Sequence, residues 1–406
     1  MAINFLPELG TLEPIMGIKI GTACAQIKQT QRDDLALFEL PAQSTCAAVF
    51  TRNAFCAAPV TLAKQHLATT APRYLLINSG NANAGTGKLG LSDAINCCEL
   101  VADLTDCAVK EVLPFSTGVI GYRLPLDKIR AALPSAQAAL DADGWKKAAH
   151  AIMTTDTVPK GASVQVSIEG QPVTVTGIAK GSGMIKPDMA TLLAFIATDA
   201  AVPQQVLQAS LNQAVKQSFN RISVDGDTST NDACVLVATG QGQVAIDSID
   251  HPAYVPFCQA VTDVCVKLAQ AIVRDGEGAT KFLTISVEQG ASQQECLDIA
   301  YAIAHSPLVK TAFFAKDANW GRILAVVGRA GVENLDINAV QIYLDDVCIV
   351  KNSGVAESYT ELQGQRVMLQ PEIGVRVLLG RGECQETVWT CDLSYDYVRI
   401  NTEYRT

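Results

Sequence analysis

The residue whose position most suggests chemistry is Thr191, which opens an apolar run directly after a loop rich in glycine and proline. The loop reads Lys180-Gly-Ser-Gly-Met-Ile-Lys-Pro-Asp-Met-Ala190. If the chain cuts itself between Ala190 and Thr191, it frees a threonine hydroxyl and an α-amino group on the same residue. The hydroxyl can attack an acyl carbonyl while the amine, with a reference pKa of about 8, takes the proton. A glycine-rich turn before an ordinary core strand is the structural alternative.

The sequence offers little for other kinds of catalytic chemistry. Its 4 histidines lie far apart, and its 13 cysteines include no Cys-x-x-Cys pair. We therefore expect no zinc site and no other metal, and we expect reduced thiols in a cytoplasmic protein without a secretory signal. Any nucleophile is expected to use a base other than histidine.

Five polar, glycine-containing segments follow apolar elements along the chain. They are Ser116–Gly121, Thr154–Thr157, Lys180–Thr191, Asp225–Asn231 and Arg274–Lys281. The ends of strands and helices often converge on a functional site. Because these segments supply hydroxyls, backbone amides and single charges, they favour acyl transfer by a hydroxyl nucleophile whose base is an amine.

A glycine pattern after the strand at 74–78 raises a different possibility. Gly85, Gly87 and Gly90 satisfy the G-x-G-x-x-G spacing of dinucleotide-binding folds. That motif needs an acidic residue at the end of the next strand, where this chain has Ser116-Thr-Gly118. A dinucleotide site is therefore not favoured, and the loop either places amides near a small ligand or makes a tight connection.

Composition and pattern indicate a well-packed α+β protein. The 406 residues are 49% hydrophobic and 18% charged, and the formal charge of −10 argues against nucleic acid and anionic membranes as partners. No apolar stretch of membrane length is expected. Strands alternate irregularly with helices, which favours an α+β or layered αββα arrangement over strict βαβ alternation. Predicted elements include strands at 191–198, 323–327 and 365–369 and a long helix at 256–273.

The polar segments closely resemble the motifs of the ornithine acetyltransferases of arginine biosynthesis, the glutamate N-acetyltransferases of the ArgJ family. The resemblance covers essentially the whole chain. The motifs that carry it are Ser116-Thr-Gly-Val-Ile-Gly121, Met153-Thr-Thr-Asp-Thr157, Ala179-Lys-Gly-Ser-Gly-Met184, Met189-Ala-Thr-Leu192, Asp225-Gly-Asp-Thr-Ser-Thr-Asn-Asp232, Gly276-Glu-Gly-Ala-Thr-Lys281 and Asp317-Ala-Asn-Trp-Gly-Arg322.

The resemblance implies a layered αββα fold of the DmpA and ArgJ type, which is similar to that of N-terminal-nucleophile hydrolases. It also implies a precursor that cuts itself between Ala190 and Thr191. The products would be an α chain of residues 1–190 and a β chain of residues 191–406, which together form one catalytic unit. Two α and two β chains would form a heterotetramer in the cytoplasm.

The implied activity is ping-pong transfer of an acetyl group from N2-acetyl-L-ornithine to L-glutamate through an acetyl-Thr191 ester. No cofactor is expected, and acetyl-CoA is expected as a second acetyl donor. A self-cleaving amidase or aminopeptidase of the same architecture, with water as acceptor, remains an alternative. A non-catalytic protein that binds a small amino acid is a third, and it would keep an intact chain.

The resemblance assigns roles to the catalytic residues. It makes Thr191 the nucleophile and a substrate contact, and it makes Thr117 and Gly118 the oxyanion hole, whose donors must face the developing alkoxide. Lys180 resembles a substrate-binding lysine, and a cation suits the α-carboxylate that ornithine and glutamate share.

Further substrate contacts are implied in both halves of the chain. Thr154 matches a substrate-binding threonine, with Thr157 close enough to be an alternative. Glu277 matches an acidic contact suited to the side-chain ammonium of ornithine, unless it only forms a cap or pairs with Arg274. The remaining two contacts lie at the C-terminus and are Asn401 and Thr406.

Overall fold

The computed structural model describes residues 2–3, 9–28, 31–186 and 192–403. Contacts divide the chain into two compact units. The larger unit consists of Pro7–Asn220 and Asp227–Ile272, and the smaller of Met1–Leu6, Arg221–Gly226 and Val273–Thr406. This division follows packing and not covalent cleavage, so the α chain of 1–190 and the β chain of 191–406 stay a prediction.

The secondary structure alternates between strands and helices along the chain. The strands are β1 (Lys19–Ala23), β2 (Leu35–Glu39), β3 (Thr45–Phe50), β4 (Tyr74–Asn81), β5 (Val112–Val119), β6 (Lys160–Ile168), β7 (Gln171–Lys180), β8 (Leu193–Thr198), β9 (Ile222–Ser223), β10 (Ala233–Ala238), β11 (Phe282–Gly290), β12 (Gln341–Leu344), β13 (Val347–Lys351), β14 (Gly354–Val355), β15 (Glu372–Leu378) and β16 (Cys384–Cys391). The α-helices are α1 (Ala58–Leu67), α2 (Gly87–Thr105), α3 (Leu126–Ala138), α4 (Trp145–Ala151), α5 (Gln204–Gln217), α6 (Tyr254–Arg274), α7 (Gln293–Ala304), α8 (Pro307–Phe314), α9 (Trp320–Gly328), α10 (Glu361–Met368) and α11 (Tyr395–Thr402).

Two stacked sheets form the centre of the larger unit. A four-stranded sheet has the order β1-β2-β4-β5, and a five-stranded sheet has the order β3-β10-β8-β7-β6. Phe38 and Phe115 from the first sheet meet Phe195 of the second, with ring centroids 5.6 and 5.0 Å from it. These contacts show that the core of the unit lies between the sheets.

Helices cover the outer faces of both sheets. Along β2, Ala36 and Phe38 face the core between the sheets, while Leu35 and Leu37 belong to the cluster that packs under α2 and α3. This alternation is the two-residue period of a strand. On the five-stranded sheet, α6 packs over Gly177 of β7, and α5 bonds to β3. The layers therefore follow the order αββα, which confirms the predicted fold class.

The sequence analysis expected no apolar segment of membrane length, but helix α6 is one. Among the described helices it is the one long and apolar enough, at 21 residues, to cross a membrane. However, 61% of its apolar window is buried, and Val264 and Leu268 face Gly177. Its sequence therefore serves as a core helix of the larger unit, which explains its apolar character without a bilayer.

The smaller unit is a seven-stranded sheet with the order β14-β13-β12-β15-β11-β16-β9. Its core contains the alternating side chains Leu283, Ile285 and Val287 of β11, together with apolar residues from α7, α8, α9 and α10. These helices pack on one face of the sheet because every second residue of a strand points to that face, and these residues are apolar.

Two of the predicted strands in the smaller unit were wrong. Residues 323–327 lie in α9 and residues 365–369 lie in or directly after α10. In α9, Ile323, Val326 and Val327 are buried at helical spacing, and the Asn319 side chain caps the first turn. In α10, Thr360 forms a capping box, which gives hydrogen-bond partners to backbone amides at the start of the helix.

Candidate active site

The predicted oxyanion-hole residues lie at the end of β5. Thr117 pairs with Ser79 and Gly118 pairs with Gly80 in the parallel ladder between β4 and β5. Gly118 has a φ of +134°, and a Cβ at this position would stand 2.3 Å from the Gly80 carbonyl carbon and 2.5 Å from the Asn81 nitrogen. The close approach of the two backbones therefore requires glycine at this position, because any side chain would collide with β4.

A single buried carboxylate joins the two predicted substrate-binding segments of the larger unit. Asp156 Oδ2 accepts a hydrogen bond from the Thr154 amide at 2.9 Å, and Oδ1 accepts one from the Gly181 amide at 2.7 Å. Gly181 directly follows Lys180, which ends β7. A second link between the segments is the 2.7 Å contact of Thr155 Oγ1 and Ser182 Oγ. Asp156 therefore fixes the turn of Thr154 against the end of β7.

The same carboxylate forms an ion pair with Lys160. Lys160 Nζ lies 2.6 Å from Asp156 Oδ1, and both side chains are 0% exposed. Burial alone would raise the pKa of Asp156, but the charges of Lys160 and Lys180 and the hydrogen bonds it accepts outweigh burial and hold the pKa well below its usual range. The carboxylate therefore remains ionised inside the protein.

Asp232 is a second buried carboxyl beside Lys180. Burial raises its pKa well above the usual range, against smaller lowering effects from a hydrogen bond with Ser229 and the charge of Lys180. Within the described part of the chain, its Oδ2 is buried without a hydrogen-bond partner. The charge of Lys180 thus acts on both buried carboxyls, Asp156 and Asp232, and a largely buried cation here suits a substrate that carries a carboxylate.

Thr154 and Thr157 have different surroundings, although the sequence alone left both open as substrate contacts. Thr154 is half-buried, and its amide is held by the carboxylate that also binds the loop after Lys180. Thr157 is exposed. This placement brings Thr154 and Lys180 together and favours Thr154, whose contact with substrate stays a prediction.

Glu277 and Asn401 lie together in the smaller unit. Asn401 Nδ2 donates to Glu277 Oε2 at 2.8 Å, and the Glu277 side chain is largely buried. The adjoining Gly278 has a φ of +69°, and a Cβ there would stand 2.5 Å from the Tyr397 nitrogen at the start of α11. The chain therefore brings together two predicted substrate contacts that are far apart in the sequence.

The structural alternative for Glu277 was pairing with Arg274. The guanidinium of Arg274 instead binds both carboxylate oxygens of Glu372, at 2.7 and 2.9 Å, and lies 4.0 Å from the centroid of the Phe282 ring. Arg274 therefore pairs with Glu372 of β15, and the Glu277 carboxylate accepts a hydrogen bond from the Asn401 amide.

The nucleophile and the cleavage site fall outside the described residues. These positions are Ala190, Thr191 and the C-terminal Thr406. Leu192, the residue bonded to Thr191, accepts a hydrogen bond from the Ala233 amide at 2.9 Å. The next residue along, Leu193, pairs with Lys180 on one side and with Ala233 on the other. The chain that leaves Thr191 thus enters the five-stranded sheet on the same rung as Lys180.

Sequence reasoning missed Asp156, Lys160, Asn231 and Asp232 as parts of the site. Asp156, Asn231 and Asp232 lie in two of the polar motifs, whereas Lys160 lies in none and pairs with Asp156 four residues before it. The partners of Asn231 lie too far along the chain for spacing to reveal. Among residues 2–3, 9–28, 31–186 and 192–403, no cluster of three or more His, Cys, Asp or Glu side chains could hold a metal ion.

Known proteins match the chain over nearly its full length. The ArgJ family model matches residues 19–406. The arginine biosynthesis bifunctional protein ArgJ of Methylococcus capsulatus is 60% identical, over 97% of this chain and 96% of its own length. The protein of the same name from Pseudomonas syringae pv. tomato is 54% identical over 100% of both chains.

Two solved structures of similar proteins each match about half of the chain. An arginine biosynthesis bifunctional protein from Bacillus halodurans is 37% identical over 51% of this chain and 97% of its own, with a TM-score of 0.49. An ornithine acetyltransferase from Mycobacterium tuberculosis, complexed with ornithine, is 36% identical over 46% of this chain and 98% of its own, with a TM-score of 0.38. With the family match over residues 19–406 and relatives more than half identical, the chain belongs to the ArgJ family.

Proposed function

We propose that this chain is an acyltransferase that moves the acetyl group from N2-acetyl-L-ornithine to L-glutamate, giving L-ornithine and N-acetyl-L-glutamate. The observation that carries the proposal is the ArgJ family match over residues 19–406. The carboxylate of Asp156, which joins Thr154 to the loop after Lys180, supports it. So does the largely buried cation of Lys180, since donor and acceptor share an α-carboxylate.

In the first half-reaction, Thr191 Oγ attacks the acetyl carbonyl carbon of acetylornithine. The α-amine of Thr191 takes the hydroxyl proton, and Thr117 and Gly118 stabilise the alkoxide that develops on the carbonyl oxygen. As the carbon–nitrogen bond breaks, the α-ammonium returns its proton to the leaving amine. Ornithine departs, and the acetyl group remains as an ester on Thr191.

In the second half-reaction, the amine of glutamate attacks the ester carbonyl and the Thr191 hydroxyl is regenerated. Lys180 holds the α-carboxylate of either substrate by a charge-assisted hydrogen bond. Thr154, Glu277, Asn401 and Thr406 complete the proposed substrate contacts, with Glu277 facing the side-chain ammonium of ornithine. Acetyl-CoA serves as a second donor to the same threonine.

The active form arises by self-cleavage between Ala190 and Thr191. Thr191 Oγ attacks the Ala190 carbonyl, the peptide bond breaks as the amine takes the proton, and water hydrolyses the resulting ester. The α chain of residues 1–190 and the β chain of residues 191–406 stay together. Two of each form a cytoplasmic heterotetramer.

The test is to incubate the purified protein with isotopically labelled acetylornithine, with and without glutamate, and to quantify labelled acetylglutamate and acetate. We expect acetylglutamate to be the main product whenever glutamate is present, and Thr191→Ala to form neither product. Acetate release that glutamate does not divert would overturn the proposal in favour of an amidase. The same assay with labelled acetyl-CoA tests the second donor.

A further inference from the structure

The side chain of Asn231 joins the end of β5, which carries the predicted oxyanion hole, to the end of β4. Asn231 lies in the polar loop that leads into β10 and is buried. Its Nδ2 donates to the Ala82 carbonyl at 2.6 Å and to the Ser116 carbonyl at 2.9 Å. Ala82 directly follows β4, and Ser116 directly precedes Thr117 in β5, so one amide group connects both strands.

The orientation of this amide is determined by its partners. Both neighbours of Nδ2 are carbonyl oxygens, which only accept hydrogen bonds, so the NH2 end of the side chain must face them. Its Oδ1 accepts a hydrogen bond from Thr230 Oγ1 at 2.6 Å. Both amide hydrogens and the oxygen are therefore engaged, and the side chain has a single satisfied orientation.

The contact at Ser116 also defines which edge of β5 faces Asn231. In an extended residue, the preceding carbonyl and the following amide point to the same side of the strand. For Thr117 these groups are the Ser116 carbonyl and the Gly118 N–H. Strand β5 ends the sheet order β1-β2-β4-β5, so one of its edges has no neighbouring strand in this sheet. Asn231 therefore binds the Ser116 carbonyl on the edge of β5 to which the Gly118 N–H also points.

We propose that Asn231 is a positioning residue of the oxyanion hole. By holding the carbonyls of Ala82 and Ser116, it fixes the peptide planes on either side of Thr117, and with them the direction of the Gly118 N–H. This inference rests on the proposed role of Thr117 and Gly118 in stabilising the alkoxide. Asn231 acts through these residues and does not itself contact the reacting atoms.

Loss of this clamp should reduce kcat and leave KM unchanged, because the oxyanion exists only in the transition state and the intermediate. Loss of an oxyanion-hole donor typically lowers kcat by about 10²–10³-fold, and we expect Asn231→Ala to approach this range. A side chain with a merely structural role would instead lower activity in proportion to the fraction of folded protein.

The experiment measures kcat, KM for acetylornithine and thermal unfolding for the wild type, Asn231→Ala and Asn231→Asp. The Asp variant fills the same volume, so it provides a folded alternative if the Ala variant does not fold. Its carboxylate cannot donate to both carbonyls, so its kcat should also fall. The matched control is Gln137→Ala, which removes a half-buried amide of α3 that donates to the Leu104 carbonyl of α2 at 3.1 Å.

The inference is supported if both Asn231 variants lose kcat at unchanged KM while the folded Gln137→Ala protein keeps the wild-type kcat. It is overturned if a folded Asn231 variant matches the control in kcat, or if its loss lies in KM. Failure of the proposed function is distinguishable, because the wild type itself would then form no acetylglutamate.

Discussion

The buried ion pair of Asp156 and Lys160 makes the Asp156→Asn substitution a demanding test of the structure. The change removes the negative charge but keeps the shape of the side chain. Lys160 then remains 0% exposed without its carboxylate partner at 2.6 Å. In addition, an amide NH2 must replace one of the two oxygens that accept from the Thr154 and Gly181 amides.

The expected loss in the free energy of unfolding is about 3–5 kcal/mol, the usual result of leaving one member of a buried pair uncompensated. This is a large part of the roughly 5–15 kcal/mol that stabilises a typical folded protein. Because Asp156 also connects the segments of Thr154 and Lys180, KM for acetylornithine should rise in whatever fraction remains folded.

Urea unfolding at neutral pH, followed by circular dichroism, measures the loss. The matched control is Asp396→Asn, which breaks the exposed pair with Arg399, whose side chains are 61% and 66% exposed, and should cost at most about 1 kcal/mol. The double variant Asp156→Asn/Lys160→Met should recover part of the loss, since it removes the uncompensated charge. A cost for Asp156→Asn equal to that of the surface control would refute the reasoning.

Three further predictions follow from the same geometry. Gly118→Ala should destabilise the protein by more than about 2 kcal/mol in urea unfolding and abolish acetyl transfer, since its Cβ would stand 2.3 Å from the Gly80 backbone; a stable, active variant would contradict this. Lys180→Met should raise KM for acetylornithine about 10–100-fold through loss of a charge-assisted hydrogen bond, with Lys180→Arg as the partial rescue, and an unchanged KM would exclude the contact. The pKa of Asp156 is depressed in the folded state, so its stabilising effect should be complete above the unfolded value of 3.8 and should be lost as the pH falls below that value. The stability of Asp156→Asn should therefore depend less on pH in this acid range than that of the wild type.

The layered fold could be predicted from the sequence because its strands carry clear local signals. The alternation along β2, with Leu35 and Leu37 on one face and Ala36 and Phe38 on the other, is typical. The aliphatic run at 323–327 and the shorter apolar run that ends 365–369 misled the prediction, because such runs fit a strand or a buried helix equally well. The caps Asn319 and Thr360 would have decided between them.

The site was predictable in its motifs but not in its connections. The polar segments pointed to Thr154 and Lys180 individually, yet the carboxylate that joins them bonds to an amide 25 residues away. The clamp of Asn231 on Ser116 spans 115 residues. Spacing within a motif does not reveal these contacts, because the first is set by the pairing of β6 with β7 and the second by how the two sheets stack.

The most direct test of the account is the intact mass of the wild-type protein after incubation with acetylornithine in the absence of glutamate. We expect two fragments separated between Ala190 and Thr191, with the mass of one acetyl group added to the fragment that begins at Thr191. Addition of glutamate should remove that acetyl group, and Thr191→Ala should remain uncut and unmodified. An intact wild-type chain, or a cut chain that never carries the acetyl group, would contradict the account.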